Sequence, residues 1–382
     1  MKLGDLVKPA KVERAGSTEY PLLSMTMRNG LVPQGEKFKK RVAGADLSQY
    51  KVVQNGQLVV GFPIDEAVLA FQRTLPAGIV SPAYAIWDIK DSSVTDALYL
   101  ERFLRSPVAI AYYLAKLQGS TARRRSLPNR VFLDMEVPHP RIQEQRRIAA
   151  ILDEADELRT KRRQAIAHFD TLTESIFHEL EAQALTMSRL KLAEACSKIQ
   201  TGPFGSLLHK EDYVVDGIPL INPMHIRDGR IVVDSSFSIT TNKFSELSGY
   251  HLFPGDVVLG RRGEIGRCAE VLDTHGPLLC GTGSLIVRPS PHHLLPTYLS
   301  AVLSSQSTRR RLGDVAQGAT MLNLNTKIVG SLEIPVPPLE LQQTFAARVA
   351  AVERLKETQR KHLIELDTLF ASLQHRAFRG EL

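Results

Sequence analysis

Apolar residues along this chain follow two rhythms. Over two long stretches they recur at alternating steps of three and four, the spacing that lines one helix face and, sustained, the seam of a coiled coil. In the first stretch the positions are Ile148, Ile151, Ala155, Leu158, Ala165, Phe169, Leu172 and Ile176; in the second they are Phe345, Val352, Leu355, Leu366, Leu369 and Leu373. Elsewhere the apolar runs are short and bounded by turn residues: Leu58-Val-Val-Gly, Gly78-Ile-Val, Ile231-Val-Val, Gly255-Asp-Val-Val-Leu and Leu285-Ile-Val. These read as strands. Helical stretches follow them at Thr95–Leu117 and Pro296–Leu312, so the pattern predicts an α+β chain in which mixed domains alternate with long helices.

Prolines mark where the long helices begin. Pro138 and Pro140 precede the first, and Pro335, Pro337 and Pro338 the second. A proline lacks the N–H that a helix interior needs and pushes its predecessor into extended geometry. From Arg141 to Leu180 the first helix would run about 60 Å at 1.5 Å per residue. Neither helix can bury its stripe alone, and packing one on the other as an antiparallel coiled coil is the simplest solution. The seam breaks at Arg162 and again at Gln359 and His362. A polar residue there either fixes register and partner or is a defect tolerated at a solvated bend.

The two stretches are copies. Val137-Pro-His-Pro-Arg-Ile-Gln-Glu-Gln-Arg-Arg-Ile-Ala-Ala aligns with Ile334-Pro-Val-Pro-Pro-Leu-Glu-Leu-Gln-Gln-Thr-Phe-Ala-Ala at an offset of 197, and from Pro138 to His178 twelve of 41 positions are identical. Fainter matches extend upstream at offsets near 200: Tyr50 with Tyr250, Tyr99-Leu100 with Tyr298-Leu299, and Gly119-Ser-Thr121 with Gly318-Ala-Thr320. Two copies of so long a unit are a tandem duplication, not a solenoid. The expected organisation is a domain over 1–136, a helix over 137–183, a second domain over 187–334 and a second helix over 335–382, related by an approximate two-fold axis.

Composition narrows the function classes. The chain has 382 residues with 48 Lys+Arg against 41 Asp+Glu, a net charge of +7, which permits nucleic acid as a partner without demonstrating one. Three cysteines, Cys196, Cys268 and Cys280, lack the spacing of a disulfide scaffold or zinc site, and no metal is expected. The first residues show no apolar signal segment and no run approaches a membrane span, so the expected compartment is the reducing cytoplasm. No phosphate-cradling glycine loop, dinucleotide fingerprint, zinc-protease pair or nucleophile elbow occurs. Asn222-Pro-Met-His falls short of the amino-methyltransferase signature, and Asp88-Ile-Lys90 lacks the upstream Pro-Asp of a nuclease site. The chain therefore reads as non-catalytic.

Basic residues cluster in loops of the domains: Lys37, Lys39, Lys40 and Arg41; Arg123, Arg124, Arg125 and Arg130; Arg261 and Arg262; Arg309, Arg310 and Arg311. Phosphate binding needs such side chains projecting without neighbouring carboxylates. His225, Arg227, Asn323 and Asn325 have side chains suited to base edges or phosphates, although Asn323 in a Gly-rich stretch also suits a turn. The basic pairs on the first long helix are balanced by nearby acids and read as a solvated face.

Ile334-Pro-x-Pro-Pro-Leu-Glu-x-Gln-Gln and Val137-Pro-His-Pro-Arg-Ile-Gln-Glu-Gln resemble the start of the helical region in specificity subunits of type I restriction-modification systems. The ending Ser372-Leu-Gln-His-Arg-Ala-Phe-Arg-Gly-Glu-Leu382 is similar to that family's closing segment. Phe204-Gly205, Gly217-Ile-Pro-Leu, Pro254-Gly-Asp-Val-Val-Leu, Arg261-Arg-Gly-Glu-Ile-Gly and Gly318-Ala-Thr320 follow the family's target-recognition domain in order. Copy one departs from it, with Asn55-Gly-Gln for Pro-Gly-Asp and Gly61-Phe-Pro-Ile for Arg-Arg-Gly. The resemblance implies two target-recognition domains, each reading half of a bipartite site in double-stranded DNA, with Thr320 among the contacts. It implies helices that set the gap and dock two modification subunits, which carry S-adenosylmethionine and methylate adenine, while this chain binds no cofactor of its own. Restriction subunits then join for cleavage. The competing reading is a duplicated coiled-coil scaffold whose basic loops serve solubility alone.

Overall fold

The computed structural model describes residues 1–26, 30–34, 46–118, 126–184, 187–315 and 323–382. They form two compact units that do not follow chain order. The first comprises Met1–Gln164 with Arg360–Leu382, and the second Ala165–Gln359. Each unit thus holds one mixed domain, the near part of its own long helix and the far part of the other copy's helix.

The domains repeat one sheet. In the first unit β1 (Val7–Pro9), β2 (Leu58–Val60), β3 (Leu69–Phe71) and β4 (Ala85–Ile89) form an antiparallel sheet of order β1-β4-β2-β3. In the second, β5 (Cys196–Thr201), β6 (Val257–Gly260), β7 (Cys268–Glu270) and β8 (Ser284–Pro289) repeat it as β5-β8-β6-β7. Both central strands follow a turn whose glycine has positive φ, Gly56 at 85° and Gly255 at 88°. Only glycine takes that conformation without strain. The turn carries a polar link to the neighbouring strand in each copy, with the chemistry exchanged. The Arg288 guanidinium donates to the buried Asp256 carboxylate at 2.6 and 2.8 Å, whereas Gln57 donates to Asp88 at 2.8 Å. Asn55-Gly-Gln and Pro254-Gly-Asp are therefore one structural turn.

Behind each sheet lie two shorter helices, Ala97–Leu104 with Pro107–Lys116, and Pro296–Ser304 with Gln306–Val315. The first core gathers Trp87, Tyr99, Phe103, Tyr113 and Phe132, and Phe378, just past the end of the second long helix, meets Tyr99 and Phe103 edge-on. The second gathers Leu192, Tyr298, Leu299 and Leu303, with Phe177 from the first long helix against Tyr298 and Phe345. Burying such aromatics supplies much of the hydrophobic stabilisation of each unit.

The long helices span Ile142–Ala184 and Leu339–Ala377. Each starts under a buried glutamine. Gln145 accepts from the Asp96 amide and donates to the Val94 and Pro140 carbonyls, and Gln342 accepts from the Leu295 amide and donates to the His293 and Pro337 carbonyls. The second helix gives way after Ala377 to a turn closed at Gly380, whose φ of 73° reverses the chain so that the Glu381 amide donates to the Arg376 carbonyl. Within each unit the two helices run antiparallel. In the first, Arg147 reaches Leu382 and Arg159 reaches Asp367; in the second, Arg348 reaches Glu179 and Lys356 reaches Asp170.

The seam is not quite the one the leucines suggest. The stripe turned inward runs through Gln145, Ile148, Leu152, Ala155, Arg159, Arg162, Ile166, Phe169, Thr173, Ile176 and Leu180, all buried or half-buried. Shifted by 197 it becomes Gln342, Phe345, Val349, Val352, Lys356, Gln359, Leu363, Leu366, Phe370, Leu373 and Ala377, again buried or half-buried. The expected seam residues Ile148, Phe169, Ile176, Phe345, Val352, Leu366 and Leu373 lie on this stripe. Leu158, Leu172, Leu355 and Leu369 do not: they are 45%, 45%, 54% and 49% exposed, and Ile151 is half-buried beside the seam. In their place the seam carries Arg159 and Lys356, equivalent cations that pair with the equivalent carboxylates Asp367 and Asp170. The Arg159 guanidinium also lies 4.2 Å over the Phe370 ring. A paired cation can occupy a seam that an unpaired one could not.

Candidate nucleic-acid interface

In the second unit five backbone segments converge at one end of the sheet. The Arg261 amide donates to the Gly283 carbonyl at 2.9 Å, its own carbonyl accepts from the Leu324 amide at 2.9 Å, and its Nε donates to Asn323 Oδ1 at 3.1 Å. The Gly283 amide in turn donates to Asn222 Oδ1, and the Arg267 guanidinium to the Pro223 carbonyl. The Gly202 amide donates to the Ser284 carbonyl, and a Cβ on Gly202 would collide with the Gly281 carbonyl oxygen. Only glycine permits so close an approach of two backbones.

From this frame Arg262, Met224 and Phe204 project into solvent, and Met224 and Phe204 are 47% and 59% exposed. Arg261 is half-buried. Desolvation, and then the neighbouring charge of Arg262, hold its pKa below the usual arginine value. Arg309, on the helix Gln306–Val315, lies against Gly266 and 3.7 Å from Glu264, which also binds Arg267. The surface is thus rich in arginine with Glu264 as a local counter-charge, and it carries two exposed apolar side chains.

A short hairpin stands beside it. Strands Ile226–Arg227 and Arg230–Ile231 are joined by Asp228-Gly229, both with positive φ, 49° and 70°. This is the tight turn that matches strand twist. Arg227 is exposed at its tip, with Nε directed at the Met224 carbonyl.

Of the sequence candidates, Arg261, Arg262 and Asn323 come together and Arg227 lies on the neighbouring hairpin. Two others serve the scaffold. His225 is 2% exposed, its Nδ1 accepts from the Asn222 amide, its ring meets Phe237, and burial lowers its pKa. It braces the turn from inside and presents nothing to a ligand. Asn325 caps the helix Thr326–Gly330 by accepting from the Ile328 amide at 2.8 Å. Thr320, Lys37, Lys39, Lys40, Arg41, Arg123, Arg124 and Arg125 lie outside the described residues. Met224 is the member that sequence reading missed, and Arg309 reads in the sequence only as one of a basic triplet with no place at this frame. A lone methionine carries no motif, and contact with Gly266 is what places Arg309 here. In the first unit the position of Arg261 is taken by Phe62, 54% exposed and tilted against Tyr84 at 6.4 Å.

Among the described residues no helix is long and apolar enough to cross a membrane. Residues 197–367 match the family described as the type I restriction modification DNA specificity domain. The specificity subunit of the type I restriction enzyme EcoBI from Escherichia coli is 25% identical over 177 residues, which are 45% of this chain and 37% of that protein. The chain therefore aligns with little more than a third of that curated relative's length. Two solved structures share the fold. One is a chain from a study of complex assembly and conformational transition of the type I R-M system, with a TM-score of 0.58, 18% identity and coverage of 100% of this chain and 97% of that one. The other is the type I S subunit of M. genitalium, with a TM-score of 0.58, 16% identity and coverage of 99% and 95%. Residues 197–367 thus resemble the type I restriction modification DNA specificity domain, and the chain shares the fold of the M. genitalium type I S subunit.

Proposed function

We propose that this chain is the non-catalytic sequence-reading subunit of a type I restriction-modification complex, with each domain reading one half of a bipartite site in double-stranded DNA. The observation that carries the reading is the frame around Arg261: arginines and exposed apolar side chains held on a rigid backbone, inside the segment that matches the specificity domain. Arginine supplies phosphate contacts and bidentate contacts to guanine, and apolar side chains touch thymine methyl groups. The different surface at Phe62 fits a first domain that reads a different half-site.

The long helices set the gap between half-sites and dock two modification subunits. The support is the second apolar stripe. Leu158 adjoins Arg159, and Leu369 lies two residues from Asp367, so the Arg159–Asp367 pair brings both leucines to one level. Leu355 and Leu172 stand likewise beside the Lys356–Asp170 pair. Each unit therefore shows solvent an equivalent leucine pair drawn from both helices. An apolar stripe added to an a/d seam suits helices that pack into a larger bundle. Two equivalent pairs suit two copies of one partner, the S-adenosylmethionine-dependent methyltransferase that modifies adenine, with restriction subunits joining for cleavage.

Duplex binding tests the reading. Arg261→Ala and Arg262→Ala in the assembled complex lower affinity for the specific duplex and reduce the slope of log affinity against log salt by about one for each phosphate no longer neutralised. Unaltered affinity and slope would reject the interface.

A further inference from the structure

The recognition hairpin is tied to the second long helix. Arg227 and Arg230 are its directly opposed cross-strand pair. Arg230 points to the helix, where its guanidinium binds Glu353 and reaches Glu357 at 3.1 Å. Two like charges facing each other across a hairpin repel. The two glutamates neutralise Arg230, so that Arg227 is the cation left at the tip.

The first unit uses the same helix position by a different route. Asp156 is the repeat equivalent of Glu353 at the offset of 197. It binds Arg102 at 2.8 Å, and Asp153 binds that guanidinium at 2.5 Å. Arg102 comes from the helix Ala97–Leu104, not from a hairpin, and its repeat equivalent, at the offset of 199 that relates the domains, is an alanine, Ala301. The acid on the helix is thus common to both copies, while each domain supplies its arginine from an unrelated element. Stability is a poor explanation of this, because half-exposed ion pairs contribute only about 0–1 kcal/mol each. A positional requirement explains it better, since each domain must meet its own helix at a fixed angle.

We infer that Asp156 and Glu353 are equivalent docking points that lock each domain against its own long helix, and that Arg230 is a positioning residue for half-site reading. It holds the Met224–Arg230 segment in a fixed phase with the helix that sets the gap. The inference rests on the proposed DNA-reading function, but the lock itself is measurable without DNA.

The test compares the full chain with Arg230→Gln and with the charge-exchanged Arg230→Glu/Glu353→Lys/Glu357→Lys. Hydrogen exchange of the purified full chain comes first. In Arg230→Gln the amides of residues 224–231 exchange at least tenfold faster while β6 and β8 are unchanged, and the exchanged variant restores protection. Unchanged exchange in Arg230→Gln overturns the lock. Modified-base sequencing of cells that co-express the modification subunits comes second. The wild type marks one motif with one gap. Arg230→Gln marks the same first half-site but accepts gaps one base pair longer or shorter at least tenfold more often, and the exchanged variant returns to one gap. Loosened exchange with unaltered gap selectivity overturns the positioning role. Absence of any bipartite motif with the wild-type chain fails the proposed function and leaves the exchange result to decide the lock.

Discussion

Gln145 and Gln342 do the same work 197 residues apart. Each spends its whole side-chain amide on three backbone groups at the junction of domain and helix. Replacing Gln342 by alanine leaves buried donors and acceptors unpaired, at about 1–3 kcal/mol each. Chemical unfolding of Gln342→Ala should show a loss of about 2–4 kcal/mol, and a loss below 1 kcal/mol would mean that water replaces the amide. Lys356, with its side chain 5% exposed, makes the opposite point. Lys356→Met removes cation and desolvation together and should leave stability within about 1 kcal/mol of wild type or raise it, whereas Asp170→Asn leaves the buried lysine with Glu353 at 3.5 Å as its remaining carboxylate and should cost about 1–3 kcal/mol. Equal losses in both variants contradict this account. The three cysteines are all buried, and burial pushes the Cys196 and Cys268 thiols up to about 12 and the Cys280 thiol higher still. A thiol reagent at pH 8 should therefore label the native chain far more slowly than the chain in denaturant. The glutamine identities were visible in the repeat. Their role was not, because it depends on backbone groups in a domain some fifty residues away in sequence.

At the scale of elements, the repeat and the prolines made both long helices legible, but not which apolar stripe faces inward. Leucine is the stronger hydrophobic signal, so the sequence pattern draws the seam through Leu158, Leu172, Leu355 and Leu369. The structure turns those residues out and places Arg159, Arg162, Thr173, Lys356 and Gln359 on the seam. Charge pairing across the helices decides this, and one helix read alone does not display its partner's carboxylate. The seam break at Arg162 and Gln359 is real and lies within the seam, while His362, expected at the same break, faces outward. The exposed leucines gain a consequence. Leu158→Glu/Leu369→Glu should leave the thermal transition of the isolated chain nearly unchanged, since both side chains already face water. Co-purification with a modification subunit should fall at least tenfold. Retained co-purification would send the docking surface elsewhere. In the interface, the Arg261-Arg262 motif was legible as a basic pair, whereas His225 and Asn325 misled because a side chain able to contact DNA is equally able to brace a turn or cap a helix.

For the whole molecule, a modest net charge of +7 understated the case for nucleic acid. The charge is spread unevenly: the helices balance theirs internally, as in Arg147–Glu144 and Lys161–Glu157, while near Arg262 the described residues place one carboxylate, Glu264, among Arg261, Arg262, Arg267 and Arg309. Duplication is the organising fact. Under the proposed function it turns one domain-and-helix unit into a pair of readers, and pairing of the two helices would convert length in residues into distance along DNA. One heptad adds about 10 Å of helix, close to three base pairs at the 3.4 Å spacing of B-DNA. The decisive measurement is modified-base sequencing of cells carrying the modification subunits with either the native chain or a version lengthened by seven residues at equivalent points of both long helices. The account predicts the same two half-sites in both, with the gap about three base pairs longer in the lengthened chain. An unchanged gap, or altered half-sites, would contradict it.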